Sequence, residues 1–201
     1  MDKLLVYGGT FNPIHNGHLH LAQSFAGITG ARSVLLVPSR IPPHKAAPSL
    51  ASAQMRLDMC RLAVAGRPGW QVSAMEAQRP GPSYTADTLD ALARRFPRTQ
   101  LYFVTGEDMF LTLLEWHDPQ RILRRAIICG APRSPAGLQR MQAYARRLEA
   151  AGGRVLVRDV QYLPVSSTQV RAAVAAGEPV DTLVPAPVAR YIAENSLYQE
   201  P

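Results

Sequence analysis

The chain has 201 residues, 47% of them hydrophobic, enough for one α/β domain with a sizeable core and at most a small appendage; a disordered chain is excluded. No apolar run approaches membrane-spanning length and the opening MDKLLVYGG lacks signal-peptide architecture, so a cytoplasmic protein without a membrane partner is expected. Twenty-two Lys and Arg against 15 Asp and Glu give a formal net charge of +7, which suits nucleotides, phosphorylated metabolites or nucleic acid without choosing among them.

The apolar run KLLVY at 3–7 predicts a buried strand. A glycine-rich junction leads into a helix over 17–28, whose Leu21, Ala22, Phe25 and Ile28 suit a face packed on a sheet. SVLLV at 33–37 predicts a second strand. The loop at 38–49, PSRIPPHKAAPS, holds four prolines, which exclude helix and central strand. A helix over 52–65 follows, with Met55, Met59 and Leu62 on one face and Gly66 past its end. Alternation over 70–74 predicts a strand, QRPGPS a loop, and Leu89, Leu92 and Phe96 a helix over 85–96. LYFVT at 101–105 is another buried strand, and GEDM comes after it. A short helix at 118–124, a strand at 126–130 (AIICG), a helix over 136–150 ended by Gly152-Gly153, and a strand at 154–157 (RVLV) continue the alternation. Two short helices, near 167–176 and 186–194, close the chain. Cys60 and Cys129 sit in apolar patterns and read as reduced core residues. The pairs Arg94-Arg95, Arg124-Arg125 and Arg146-Arg147 read as solvated helix faces; an RNA-binding stripe is the alternative, with no aromatic interleaving to support it.

Alternating β and α segments argue for a Rossmann-like doubly wound parallel sheet with helices on both faces and a short helical C-terminal segment. Ligands of such sheets sit outside the carboxyl ends of the strands. Function is therefore expected in the segments that follow predicted strands: 8–18, 38–45, 78–85, 105–108, 131–135 and 163–171.

The first of these reads GGTFNPIHNGH. Gly8-Gly9-Thr10 can bring main chain close to a phosphate at a helix N-terminus. G-x-G-x-x-G and the Walker pattern are both absent. His15 and His18 leave several readings open. They could begin a metal site, although no Cys, Asp or Glu lies within 8–22. They could act as acid and base, donate hydrogen bonds to a phosphate, or merely cap the helix. Near the other end, Ser166-Ser167-Thr168-Gln169-Val170-Arg171 opens a helix. Its hydroxyls, amides and guanidinium could cap that helix or surround an oxyanion.

His15-Asn16-Gly17-His18 resembles the H-x-G-H signature of the nucleotidylyltransferase superfamily, whose histidines contact the phosphates of a bound nucleoside triphosphate. SSTQVR resembles that superfamily's S-S-T-x-[IV]-R motif, which holds the β- and γ-phosphates of ATP. Four more segments resemble motifs of the bacterial nicotinate-nucleotide adenylyltransferases: Pro42-Pro43-His44-Lys45, the run SYTADTL from Ser83, Trp116 within LLEWHDPQRIL, and Arg133 after AIICG. The resemblance runs in order from residue 4 to about residue 198. The shorter phosphopantetheine adenylyltransferases share the first and last motifs and lack the SYT and Trp116 segments. Asn12 stands where the first motif usually carries Asp, and Arg133 is followed by Ser134-Pro135 rather than Pro-Gly.

The resemblance implies one nucleotidylyltransferase domain over 1–201, with 160–201 as the helical segment that carries SSTQVR. It implies transfer of AMP from ATP to nicotinate mononucleotide, giving deamido-NAD and pyrophosphate; the alternative acceptors are nicotinamide mononucleotide and phosphopantetheine. His15, His18 and Arg171 are implied as catalytic. Gly8, Gly9, Thr10, Phe11, Gly106, Asp108, Ser166, Ser167 and Thr168 join His18 and Arg171 around ATP. His44, Lys45, Tyr84, Thr85, Trp116 and Arg133 are implied for the mononucleotide. An indole suits a cationic pyridinium, a helix start supplies donors for a carboxylate, and lysine and arginine suit a phosphate. Mg²⁺ is implied as ATP's companion, bound mainly through the phosphates, with no metal-binding residue assigned. The partners are then ATP and nicotinate mononucleotide, with no nucleic acid, in a monomer or small homo-oligomer.

Overall fold

The structure is a computed structural model that describes residues 1–41 and 50–199. The expected sites at His44 and Lys45 lie outside the described residues. Six strands form one parallel sheet in the order β3-β2-β1-β4-β5-β6. They are β1 (Asp2–Gly9), β2 (Ser33–Pro38), β3 (Trp70–Val72), β4 (Thr99–Gly106), β5 (Ala126–Ala131) and β6 (Arg154–Val157). The chain winds outward from β1 through β2 and β3, then returns to start again with β4 beside β1. This is the doubly wound order expected from the alternation, with its switch point at β1 and β4.

The apolar runs explain the strands. Leu5 and Val6 of β1, Leu36 and Val37 of β2, Val104 of β4 and Ile128 and Cys129 of β5 are fully buried, as strands covered on both faces must be. Val6 stands opposite Phe103 and Tyr7 opposite Val104. This register brings Gly8 level with the carboxyl end of β4.

The helices are α1 (Asn16–Thr29), α2 (Ala53–Val64), α3 (Met75–Gln78), α4 (Thr85–Arg95), α5 (Glu107–Phe110), α6 (Pro119–Arg125), α7 (Pro135–Ala150), α8 (Ser167–Ala175) and α9 (Ala186–Glu194), with a 3₁₀ turn at Leu113–Glu115. Several starts are written locally. Ser52, Asp118, Ser134 and Ser166 cap α2, α6, α7 and α8 by accepting main-chain N–H bonds. The predicted strand at 70–74 ends early at Val72, because Ser73 Oγ accepts the Met75 N–H and turns the chain into α3.

The chain divides into two compact units. The first comprises Met1–Gly8, Leu21–Leu35 and Tyr84–Tyr162. Its core gathers residues of β1, β4 and β5 with Phe110, Met141 and Leu148. The second comprises Gly9–His20, Leu36–Ser83 and Leu163–Pro201, and its core includes Phe11, Ile14, Leu57, Met59, Val170, Val188 and Ile192. Cys60 and Cys129 are buried and free, as expected, and burial pushes both thiols up, Cys129 to about 12. No helix among the described residues is long and apolar enough to cross a membrane.

Candidate active site

In the second unit, the segment from Gly9 to His18 folds around Phe11. A side chain at Gly9 would meet the Phe11 ring at 3.0–3.2 Å, tighter than ordinary contact, so the ring would have to give way to it. Phe11 itself has φ of +49°, a left-handed conformation rare for a bulky residue. Its ring is buried and meets His18 edge-on, with centroids 5.0 Å apart.

His15 stands just before α1 and His18 is the third residue within it. The His18 N–H reaches His15 Nδ1 at 3.3 Å, and the His15 N–H reaches His18 Nδ1 at 3.3 Å. This is the reciprocal logic of a capping box, built from two imidazoles instead of a hydroxyl and a carboxamide. The rings stack with centroids 3.6 Å apart. A neutral imidazole that accepts through Nδ1 carries its proton on Nε2, so Nε2 is the donor nitrogen of each ring. Capping and donation, separate readings of the sequence, are therefore compatible in one geometry. Gly17 makes room for the pair, since a side chain there would meet His15 Nδ1 and Val165 O, each at 3.1 Å. Burial lowers the His15 pKa to about 4, so this ring is neutral at neutral pH and poorly suited to trade protons there. Among the described residues, no group of three or more His, Cys, Asp or Glu could hold a metal ion.

The structure brings SSTQVR onto the same segment. Ser167 Oγ donates to Pro13 O at 2.9 Å. The Arg171 guanidinium donates to Asn12 O at 2.8 Å and to Thr168 Oγ1 at 3.4 Å. Ser166 Oγ accepts the Gln169 N–H at 3.1 Å. Asn12 Oδ1 accepts the Tyr198 O–H at 2.7 Å and the Ala51 N–H at 3.1 Å. Position 12 thus calls for an acceptor oxygen, which Asn supplies as Asp would, without adding a buried charge.

Arg56 carried no sign of function in the sequence, where it is one charged residue of a helix. In the structure it is 1% exposed. Its guanidinium donates to Thr10 O at 2.7 Å, Ser39 O at 2.6 Å, Arg40 O at 2.9 Å and Ala51 O at 2.9 Å. Burial lowers its pKa, yet no carboxylate pairs with it among the described residues. Four main-chain oxygens from the β1–α1 and β2–α2 connections compensate for its lost hydration.

The remaining expected residues lie in the first unit. Gly8 is close-packed, as a side chain there would meet the Phe103 ring at 3.3 Å. Gly106 ends β4, and the exposed Asp108 in the first turn of α5 pairs with Arg133 at 2.9 Å. Tyr84 stands at the start of α4, before Thr85, and stacks on His117 with centroids 4.0 Å apart. Trp116 is half-buried and meets Phe103 edge-on; its Nε1–H donates to Thr112 Oγ1 at 3.3 Å. Thr112 in turn donates to Asp108 O at 3.4 Å. The helix after Trp116 is fastened to α4 by ions: Arg121 bonds Asp90 and Asp87, and Arg125 bonds Asp90. The Arg121 bond is the main reason the Asp90 carboxyl stays below the usual range. His117, Thr112 and Asp90 were not singled out by sequence, since each depends on contacts between separate elements.

A family model for cytidylyltransferase-like proteins matches residues 6–173. A Bacillus subtilis protein named nicotinate-nucleotide adenylyltransferase is 34% identical, covering 99% of this chain and 100% of the relative. A Symbiobacterium thermophilum protein, named a probable nicotinate-nucleotide adenylyltransferase, is 40% identical over 98% of this chain and 96% of its own. The fold is similar to Plasmodium falciparum nicotinic acid mononucleotide adenylyltransferase complexed with NaAD, with a TM-score of 0.76, 16% identity and coverage of 100% of this chain and 99% of that one.

Proposed function

The chain belongs to the cytidylyltransferase-like family and, within it, to the nicotinate-nucleotide adenylyltransferases; from this premise we infer that it moves AMP from ATP to nicotinate mononucleotide, releasing pyrophosphate and deamido-NAD. The observation that carries the reading is the paired imidazole cap at the start of α1, with SSTQVR fastened to the same loop.

The nucleophile is a phosphate oxygen of the mononucleotide, ionised at neutral pH, so the step needs no enzyme base. This oxygen attacks the α-phosphorus of ATP; the new P–O bond forms as the bond to pyrophosphate breaks. Catalysis comes from alignment and from hydrogen bonds that strengthen as charge builds on the phosphoryl oxygens. His18 Nε2–H is assigned to the α-phosphate and His15 to its support. Arg171, Ser166, Ser167 and Thr168 are assigned to the leaving pyrophosphate. Gly8, Gly9, Thr10 and Phe11 line the ATP phosphates, and Gly106 and Asp108 take the ATP ribose. Trp116 stacks on the pyridinium, Tyr84 and Thr85 meet the nicotinate carboxylate, and His44, Lys45 and Arg133 meet the mononucleotide phosphate. Mg²⁺ bound with ATP would neutralise part of the triphosphate charge, and such an ion ordinarily keeps phosphate and water oxygens rather than a dedicated protein cage. The enzyme is read as a cytoplasmic monomer or small homo-oligomer with no nucleic-acid partner.

Pyrophosphate release tests the reading, with ATP or CTP offered beside nicotinate mononucleotide, nicotinamide mononucleotide or phosphopantetheine. Release with ATP and nicotinate mononucleotide alone is expected. Faster release with the amide or with phosphopantetheine moves the chain to that acceptor.

A further inference from the structure

Glu107 follows Gly106 at the end of β4 and is 4% exposed. Its Oε2 accepts the main-chain N–H of Arg133 at 2.7 Å, and its Oε1 accepts a guanidinium N–H of Arg140 at 2.7 Å. The carboxylate lies against the first turn of α7, where a Cβ added at Gly137 would stand 2.5 Å from Oε2 and 2.7 Å from Oε1. A helix start favours a negative charge. Burial pushes the Glu107 carboxyl up, but its bonds to the Arg133 N–H and to Arg140 prevail and hold it below the usual range. It is therefore an anion at neutral pH.

This carboxylate touches both loops that end in the exposed ion pair. Asp108 is its neighbour in sequence, and Arg133 hangs from the N–H that it binds. The two side chains then meet each other at 2.9 Å. We propose that Glu107 is a positioning residue, a buried pin that fixes the main chain under Asp108 and Arg133 and so sets where both side chains meet substrate. The inference rests on the assignment of those two residues to ribose and phosphate. It goes further in placing their control in a residue that touches no substrate, with Gly137 as the space it needs.

The test uses E107Q, G137A and R133A in the full chain, with KM for each substrate, kcat and the melting temperature. The carboxamide of E107Q keeps the size of the carboxylate but must turn its NH₂ group towards either the Arg133 N–H or the Arg140 guanidinium, which leaves a donor facing a donor. Expected for E107Q is an increase of about fivefold in KM for the mononucleotide through Arg133 and a smaller increase in KM for ATP through Asp108, with kcat within about twofold, since a charge-assisted bond is replaced by a clash remote from the reacting atoms. G137A, which displaces the carboxylate from the other side, should give the same split. In E107A, where the carboxylate is gone, adding G137A should cost nothing more. In R133A, E107Q should add little to KM for the mononucleotide, because that part of its effect acts through Arg133.

E107Q and G137A that fold and keep both KM values of the parent overturn the inference. So does an E107Q effect on KM for the mononucleotide that persists at full size in R133A. If E107Q fails to fold, R140M carries the test, because its exposed side chain can be removed without opening the core; an increase of about twofold in the same KM is expected, and no change overturns the inference. Failure of the functional reading is separate: it shows as no deamido-NAD from the unaltered protein, and the same cycle is then read with the acceptor it does use.

Discussion

The loop around Phe11 and the loops after β4 and β5 hold their arginines by opposite means. Around Phe11, Arg56 is bound by four main-chain oxygens and Arg171 by another, and the histidines are tied to main-chain N–H groups. Positive charge there is held in place without being cancelled. After β4 and β5, Arg133 faces Asp108 and Arg140 faces Glu107, so each charge has its opposite. On the proposed assignment of polyphosphate to the first region, a cation with no paired carboxylate among the described residues favours that ligand. A region whose charges are balanced contributes by where its groups stand. The first should be sensitive to loss of donors, and the second to small displacements.

The strongest way to break this contrast is R56A. It removes the side-chain donors of four main-chain oxygens, that of Ser39 in a buried bond, and should lower stability by about 4 kcal/mol or more in urea unfolding. R56K should recover part of that loss; an R56A protein as stable as the parent would end the case for a main-chain-bound cation. Next comes a pH effect from His15. It titrates near about 4 when folded and at 6.5 when not. Between those values the unfolded chain binds the extra proton, so stability present above pH 6.5 is lost as the pH falls towards 4. The loss should reach about 3 kcal/mol, and H15N, which can cap but not titrate, should lack that slope. H18A should reduce kcat by about 10²-fold, or nearly 3 kcal/mol, with the fold intact; an unchanged kcat would remove His18 from the phosphoryl group. The smallest effect is expected in the other region. W116A should raise KM for the mononucleotide about tenfold and KM for ATP far less. Equal effects on both would make Trp116 a packing residue.

The sequence was informative where the physics is local. Uninterrupted apolar runs marked β1, β2, β4 and β5, and the segments after the predicted strands carried the motif residues. The elements α3 and α5 were missed because four residues show no period. Motif spacing pointed to His15 and His18, but not to how they share one cap, since that depends on which ring nitrogen faces the main chain. Arg56 and Glu107 were illegible for a deeper reason. A charged residue in a helix is normally solvated, and nothing local tells that Thr10, Ser39 and Arg40 will aim their oxygens at one guanidinium, or that Gly137 will leave a slot for one carboxylate.

Arg56 has a consequence for how this protein can change over time. Its bonds end on oxygens that every amino acid possesses. The tether therefore does not depend on which side chains stand at positions 10, 39, 40 and 51. Those positions can drift, and be selected for what their side chains meet, while the loops that carry them keep their course. One buried cation thus leaves its surroundings free to vary.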